Sequence, residues 1–288
     1  MTIRTILAAV SGSEASSGAA ELACRLARRF EAHLEGFHAR LDPAEIIAGL
    51  SAGGDVAISG SIVDNMTADA EKRAGETRNL FERIVARHHI AVRDAPTAGK
   101  AGASAAWRDE VGHAPTSVAR RARFFDLTVL GRSDRVLNEP HSNTVEEALA
   151  RSGRPVLLAP AQPPADMART IAFAWNGSPQ AVRAMAAALP FFATAKSVSV
   201  VTIGEADAAG AAAAVEYLAW HGIAARNQPM PTDPTLALGR QLVAIATQAD
   251  ADLLVMGGYG RAPWREVLFG GATREAVAAN AMPILLVH

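Results

Sequence analysis

Residues 253–273 read Leu253-Leu-Val-Met-Gly-Gly-Tyr-Gly-Arg-Ala-Pro-Trp-Arg-Glu-Val-Leu-Phe-Gly-Gly-Ala-Thr273. The apolar run Leu253–Met256 predicts a buried strand, and the following Arg274-Glu-Ala-Val-Ala-Ala279 predicts a helix. A strand therefore ends on Gly257, a loop crosses over, and the pair Gly270-Gly271 opens a helix. A helix start presents unpaired backbone N–H groups and the positive end of a dipole. Glycines let that backbone come close to an anion, so the combination suits phosphate. The spacing is Gly257, two residues, Gly260, nine residues, Gly270. It is neither Gly-x4-Gly-Lys-Ser/Thr nor Gly-x-Gly-x-x-Gly.

Outward from this loop, the chain contains itself twice. Ile6-Leu-Ala-Ala-Val-Ser-Gly-Ser13 lines up with Ile171-Ala-Phe-Ala-Trp-Asn-Gly-Ser178. Asp126-Leu-Thr-Val-Leu-Gly131 lines up with Asp252-Leu-Leu-Val-Met-Gly257, and Arg154-Pro-Val-Leu-Leu-Ala-Pro160 with Met282-Pro-Ile-Leu-Leu-Val-His288. Three collinear matches predict two homologous domains, about 1–160 and 168–288, joined by Pro160-Ala-Gln-Pro-Pro-Ala165, a semi-rigid linker. After the first match, Ala19, Leu22, Ala23, Leu26 and Phe30 recur at helical spacing; after the second, Ala181, Ala184, Met185, Ala188 and Leu189 do so.

In the second domain, strands are expected at 170–175, 197–203, 223–228, 252–257 and 283–287, and helices near 178–190, 207–221, 235–249 and 270–280. Continuous apolar strands alternating with amphipathic helices imply an α/β fold: a parallel five-stranded open sheet with helices on both faces, made twice. Ligands of such sheets bind at the carboxyl ends of the strands where strand order reverses. The Gly257 loop and Trp175-Asn-Gly-Ser178 both leave such ends. The first domain carries extra sequence between 40 and 100, with a short helix expected at Ile46–Leu50, a loop at Ser51–Gly54 and a charged helix from Ala68 to His88.

The glycine spacing resembles the nucleotide loop of the universal stress protein family, Gly-x2-Gly-x9-Gly-Ser/Thr. Gly257, Gly260 and Gly270 match it, while Gly271 stands at the hydroxyl position and Thr273 offers a substitute hydroxyl. With the repeat, the likeness covers nearly the whole chain and implies a tandem universal stress protein. The family fold is Rossmann-like, of the adenine nucleotide alpha hydrolase type. The resemblance implies ATP or another adenine nucleotide as ligand, with or without magnesium, in a stress-response sensor or regulator. Family members end the first strand in an aspartate that contacts the adenosine portion; this chain has Ser11 and Asn176 there. In the first domain only Gly131 of the loop remains, and Asp134 occupies the second glycine position, where its charge repels phosphate. The second domain is therefore the expected site. Ala174, Trp175 and Asn176 would line the adenine or ribose, with core filling the other reading of Trp175. Ile203 would pack on the base, and Met256 and Gly257 would approach by backbone. Gly260, Arg261, Gly270, Gly271, Ala272 and Thr273 would surround the phosphates. Family members pair through their last strand. Here Arg154–Ala159 and Pro283–Val287 are too apolar for open edges and are expected to meet within one molecule, an intramolecular pseudo-dimer, with further pairing into a homodimer left open.

Composition removes other classes. Net charge is −1 and no basic stripe is present, so nucleic acid is not an expected partner. No apolar run approaches the ~20 residues that span a bilayer, and no leader pattern precedes the first strand, so a cytoplasmic protein is expected. The single cysteine, Cys24, reads as a small buried hydrophobe. The eight histidines follow no metal-binding spacing. No catalytic set is assembled, so at most slow ATP hydrolysis is expected. A nucleotide-free scaffold whose helical surfaces bind partners is the other reading.

Overall fold

A computed structural model of the 288-residue chain describes residues 2–40, 60–95, 102–132, 143–204, 207–258, 271–278 and 282–288. The first half contains β1 (Thr5–Ala9), α1 (Glu14–Phe30), β2 (His33–Arg40), α2 (Gly60–Arg87), β3 (Ala91–Val92), β4 (Ser104–Val111), α3 (Ala114–Ala122), β5 (Leu127–Gly131), α4 (Asn143–Ser152) and β6 (Val156–Ala159). The second contains β7 (Thr170–Ala174), α5 (Pro179–Phe192), β8 (Ser197–Ile203), α6 (Ala208–Trp220), β9 (Ala225–Met230), α7 (Leu238–Gln248), β10 (Leu253–Gly257), α8 (Gly271–Ala278) and β11 (Ile284–Val287).

Local chemistry accounts for the matching starts. Ser13 and Ser178, the last residues of the first repeat match, are the N-caps of α1 and α5. Their hydroxyls accept the N–H of Ser16 and Ala181, both at 3.2 Å, satisfying one orphan donor of each helix. Asp126 and Asp252, which open the second match, tie strands together. Asp126 Oδ2 accepts the N–H groups of Arg4 (2.8 Å) and Thr5 (3.0 Å); Asp252 accepts those of Arg169 (2.9 Å) and Thr170 (3.1 Å).

All strands join one sheet of order β3-β4-β2-β1-β5-β6-β11-β10-β7-β8-β9. Every pairing is parallel except β6 with β11, which is antiparallel, with Leu158 opposite Ile284, Leu157 opposite Leu285 and Val156 opposite Leu286. The two last strands therefore cover each other's apolar edges, the meeting their sequence calls for. The fold class is as expected, α/β with helices on both faces, and the two sheets run together as one. One helical layer contributes Leu22, Leu26, Phe81, Phe191 and Leu218 to a core that also holds Leu157 and Leu285. The opposite layer contributes Val118, Leu149, Leu242 and Ala276 to a core that holds Val156, Leu158, Ile284 and Leu286. Both cores run across both halves.

The proline-rich joint lies along α1. Arg25 donates to the carbonyls of Pro163 (3.1 Å) and Pro164 (2.5 Å), and Arg29 donates to that of Met167 (2.6 Å). A Cβ on Gly18 would sit 2.7 Å from the Pro160 carbonyl oxygen, so only glycine admits the joint there. Phe30 meets Phe191 edge-on at 5.3 Å across the halves.

The charged helix expected from Ala68 starts earlier, and α2 runs 28 residues against 13 in α6. The expected helix at Ile46–Leu50 and the loop at Ser51–Gly54 lie outside the described residues. The edge strand expected at 223–228 is Ala225–Met230. It opens Ala-Arg-Asn-Gln, with Arg226 and Asn227 exposed and Ala225 and Gln228 half-buried, so no apolar run marks its start. Cys24 is fully buried, and burial pushes its thiol up to about 12. His33 pairs with the Ser104 hydroxyl (2.9 Å), His38 with the Val10 carbonyl (2.8 Å) and His88 with Glu21 (2.5 Å). Among the described residues no three histidine, cysteine, aspartate or glutamate side chains gather as a metal site.

Candidate functional site

In the second half the chain steps outward from β7 through β8 to β9, then returns to the other side of β7 with β10 and β11. Strand order reverses between β7 and β10, and so does the side taken by each crossover. In open sheets of this kind ligands bind above the carboxyl ends of those two strands. The first half has the same reversal between β1 and β5.

The register brings several expected residues to this edge. Met256 lies beside Ala174, which lies beside Val201, so β7, β8 and β10 end together. Ala174 and Ile203 are half-buried and pack with Met230 on one core layer; Met256 is buried in the same layer. Trp175 continues β7, its N–H donating to the Val201 carbonyl at 2.9 Å. Its ring is only 8% exposed and meets Phe173 at 6.0 Å, so the indole fills core, as the other reading of this residue had it. The indole N–H still reaches the rim, where it donates to Asp207 Oδ2 at 3.3 Å. The Asn176 side-chain oxygen accepts from the Ser178 N–H (3.1 Å) and hydroxyl (2.7 Å), closing the turn into α5. Ser11 plays the corresponding part in the first half, its hydroxyl 3.1 Å from that of Ser13.

Gly257 has a packing reason to be glycine. A Cβ there would lie 2.7 Å from both the Ala181 nitrogen and the Gln180 carbonyl carbon, backbone atoms at the start of α5. Gly131 meets the start of α1 in the same way, its Cβ falling on backbone atoms of Ala15 and Ser16. The leading glycine of the motif therefore lets a helix approach a strand in both halves, whether or not a phosphate is held.

The next position separates the halves. Gly258 N–H donates to the Val287 carbonyl at 2.8 Å, and Arg132 N–H donates to the Ala159 carbonyl at 2.9 Å, so the two residues are structural mates. Among the described residues, a Cβ on Gly258 would meet only the Val287 oxygen, at 3.8 Å. The Arg132 side chain, 3% exposed, donates to the Met282 carbonyl, just before β11 of the other half, at 3.0 Å.

Gly271 and Ala272 lie in the first turn of α8. Thr273, 3% exposed, stands ten residues before Pro283, as Val145, 7% exposed, stands ten before Pro155. The threonine thus occupies a core-facing helix position. Gly260, Arg261 and Gly270 lie outside the described residues, as does Asp134.

Asp207 belongs to this edge and was not among the expected site residues. In sequence it is an aspartate before an alanine-rich helix, which signals an N-cap and nothing more. In the fold its carboxylate lies against Gly177 and the Trp175 indole, beside the end of β7.

No family model matches the chain, and no curated protein matches it. Solved structures do. A universal stress protein from Archaeoglobus fulgidus DSM 4304 is 13% identical, with 99% of this chain and 96% of that one covered and a TM-score of 0.72. A functionally unknown protein from Pseudomonas aeruginosa PAO1 is 14% identical, with 99% and 92% covered and a TM-score of 0.55. The first likeness runs through both halves and the junction between them, so the chain has the fold of the universal stress proteins.

Proposed function

We propose that this chain acts as a tandem universal stress protein, a stress-response sensor or regulator built of two repeated domains, 1–160 and 168–288. In this reading the second domain binds one adenine nucleotide, ATP, ADP or AMP, with or without magnesium. The domains form an intramolecular pseudo-dimer through β6 and β11. The nucleotide lies at the carboxyl ends of β7 and β10. Ala174 and Ile203 flank the base, Met256 and Gly257 supply backbone near the ribose, and Gly260, Arg261, Gly270 and Gly271 face the phosphates.

The observation that carries this reading is the Gly258–Arg132 pair. Among the described residues a Cβ on Gly258 would meet only the Val287 oxygen, while the mate position carries Arg132, whose buried side chain donates to the Met282 carbonyl. In this reading the glycine leaves the second half's strand end accessible to a ligand where the first half carries an arginine. The test follows from the repeat. Gly258→Arg installs the first half's residue at the mate position, a backbone environment that already accepts arginine. Titration calorimetry with ATP, ADP and AMP is expected to give one site per wild-type chain and at least tenfold weaker binding in the variant. Mass spectrometry of nucleotide released from denatured protein identifies the natural occupant. Two equivalent sites per chain, or unchanged affinity in Gly258→Arg, would defeat the reading.

A scaffold without nucleotide has one observation in its favour. Trp220 is 83% exposed at the end of α6, beside Tyr217, and exposed tryptophans are common anchors of protein interfaces. In that case the calorimetry shows no heat with any nucleotide.

A further inference from the structure

A cleft of about 640 Å³ lies between the two halves. The first half lines it with the residues ahead of β1 and the end of α1. The second lines it with the end of α5 and the turn after α6. Each of these segments leads into a strand, so the cleft sits at the amino ends of β1, β2, β8 and β9. The nucleotide proposed above lies instead at carboxyl ends. Cavities that hold small molecules have about 300–1,000 Å³.

Its charge is one-sided. Arg4, Arg28 and Arg29 stand against Glu31, the one acid among the described lining residues, in a chain whose net charge is −1. Arg29 is fixed in place. Its guanidinium donates to the Met167 carbonyl at 2.6 Å and to the Thr194 hydroxyl. It also lies 5.5 Å from the centre of the Phe30 ring and 6.0 Å from that of Phe191. These bonds use two of the five N–H donors of a guanidinium. Arg4 and Arg28 are exposed, and their side chains form no hydrogen bond or ion pair among the described residues. Arg28 and Arg29, in the last turn of α1, offset the negative end of its dipole. That reason does not extend to Arg4, which lies ahead of β1 and in no helix. Beside the cations, Phe30, Leu189, Pro190 and Ile223 give the cleft an apolar wall. A cleft with charge of one sign and low-dielectric walls concentrates ions of the opposite sign.

We propose that this cleft is a second ligand site, for a phosphate monoester that carries an apolar body. The phosphate meets Arg4, Arg28 and Arg29, whose planar forks match its oxygens. The body lies on Phe30, Leu189 and Ile223. Inorganic phosphate satisfies only the charged end, and an apolar alcohol only the wall. The proposal does not rest on the nucleotide reading.

The experiment is equilibrium dialysis of the full chain with 1-naphthyl phosphate, beside inorganic phosphate and 1-naphthol. Wild type and Gly258→Arg are both measured, so that binding at the nucleotide site is read separately. One 1-naphthyl phosphate per Gly258→Arg chain is expected, with a dissociation constant below roughly 1 mM. Inorganic phosphate and 1-naphthol should each bind at least about tenfold more weakly. Arg4→Gln with Arg28→Gln removes two exposed charges that hold no other group, so the melting temperature should not change. Affinity for 1-naphthyl phosphate should fall at least about tenfold, the effect of one charge-assisted hydrogen bond. Full affinity in that double variant overturns the proposal. Equal affinity for inorganic phosphate also does so, since it marks a charged patch without a pocket. Binding to wild type that disappears in Gly258→Arg places the probe at the nucleotide site and overturns the proposal, leaving that reading intact. No binding of 1-naphthyl phosphate to either protein overturns it as well. Failure of wild type to bind ATP defeats the nucleotide reading alone.

Discussion

Leu157 and Leu285 face each other at the centre of the antiparallel junction, and both are 0% exposed. β5 flanks β6 and β10 flanks β11, so neither strand can move sideways to fill a hole. Leu→Ala at buried sites costs about 2–5 kcal/mol, more where the surroundings cannot collapse. We therefore expect about 3 kcal/mol for Leu157→Ala and a similar loss for Leu285→Ala. The double variant enlarges one shared cavity, so the losses should deviate from additivity by about 0.5–3 kcal/mol. A typical domain has only about 5–15 kcal/mol in total, so either single change removes a large fraction. Leu285→Asp should cost more still, because a buried carboxylate has no cation or donor beside it and must take up a proton or break the junction. Urea unfolding followed by far-UV circular dichroism measures each loss. With a slope of about 3 kcal/mol per molar urea, each alanine variant should unfold about 1 M earlier. Single losses below about 1 kcal/mol, or strict additivity in the double variant, would mean that these two side chains do not share one packed interface.

Gly257→Ala and Gly131→Ala should each lower thermal stability by the equivalent of about 1–3 kcal/mol, because each new methyl meets helix backbone that must shift. If Gly257→Ala leaves the melting temperature untouched, the close-packing account of that glycine is wrong. Cys24 should resist alkylation at pH 8 until the chain unfolds. Its thiol is raised from 9.0 to about 12 in the folded state, so between those values the unfolded chain has released a proton that the folded chain retains. Stability should then fall as pH rises from about 9 to 12, by up to about 1.4 kcal/mol per pH unit from this group. The Cys24→Ala variant should lose that component of the pH dependence; an unchanged alkaline slope would refute it.

Much of the architecture was legible because it rests on local periodicity. The apolar runs at 171–174, 197–203 and 253–257 are strands within one or two residues of expectation, since strands buried on both faces need no alternation. The Gly-Ser that closes the first match leads into a helix in each half, as expected; that the serine caps that helix, and that the Asp before Leu127 and Leu253 ties two strands, emerged only from the contacts. The apolar character of β6 and β11 also implied their meeting, because neither could face water. The site was less legible. Gly257 stood out as a phosphate glycine; its contacts add a second reason for glycine, clearance of a helix, which leaves the same signature in sequence. Thr273 read as a ligand hydroxyl; the structure adds that it is buried, as Val145 is at the matching distance before its proline in the first half.

By itself the sequence determined the α/β class and the pairing of the last strands. Each depends on neighbours within a few residues or on an apolar run that has to be buried somewhere. Only the tertiary structure decided that the two sheets continue as one with cores running through both halves, that the Arg132 side chain is buried against the Met282 carbonyl, and that the Asp207 carboxylate meets the Trp175 indole. Those contacts join residues 150 and 32 positions apart for Arg132 with Met282 and Trp175 with Asp207. Side chains so far apart in the chain carry no shared periodicity; strand register and the angle of each crossover bring them together.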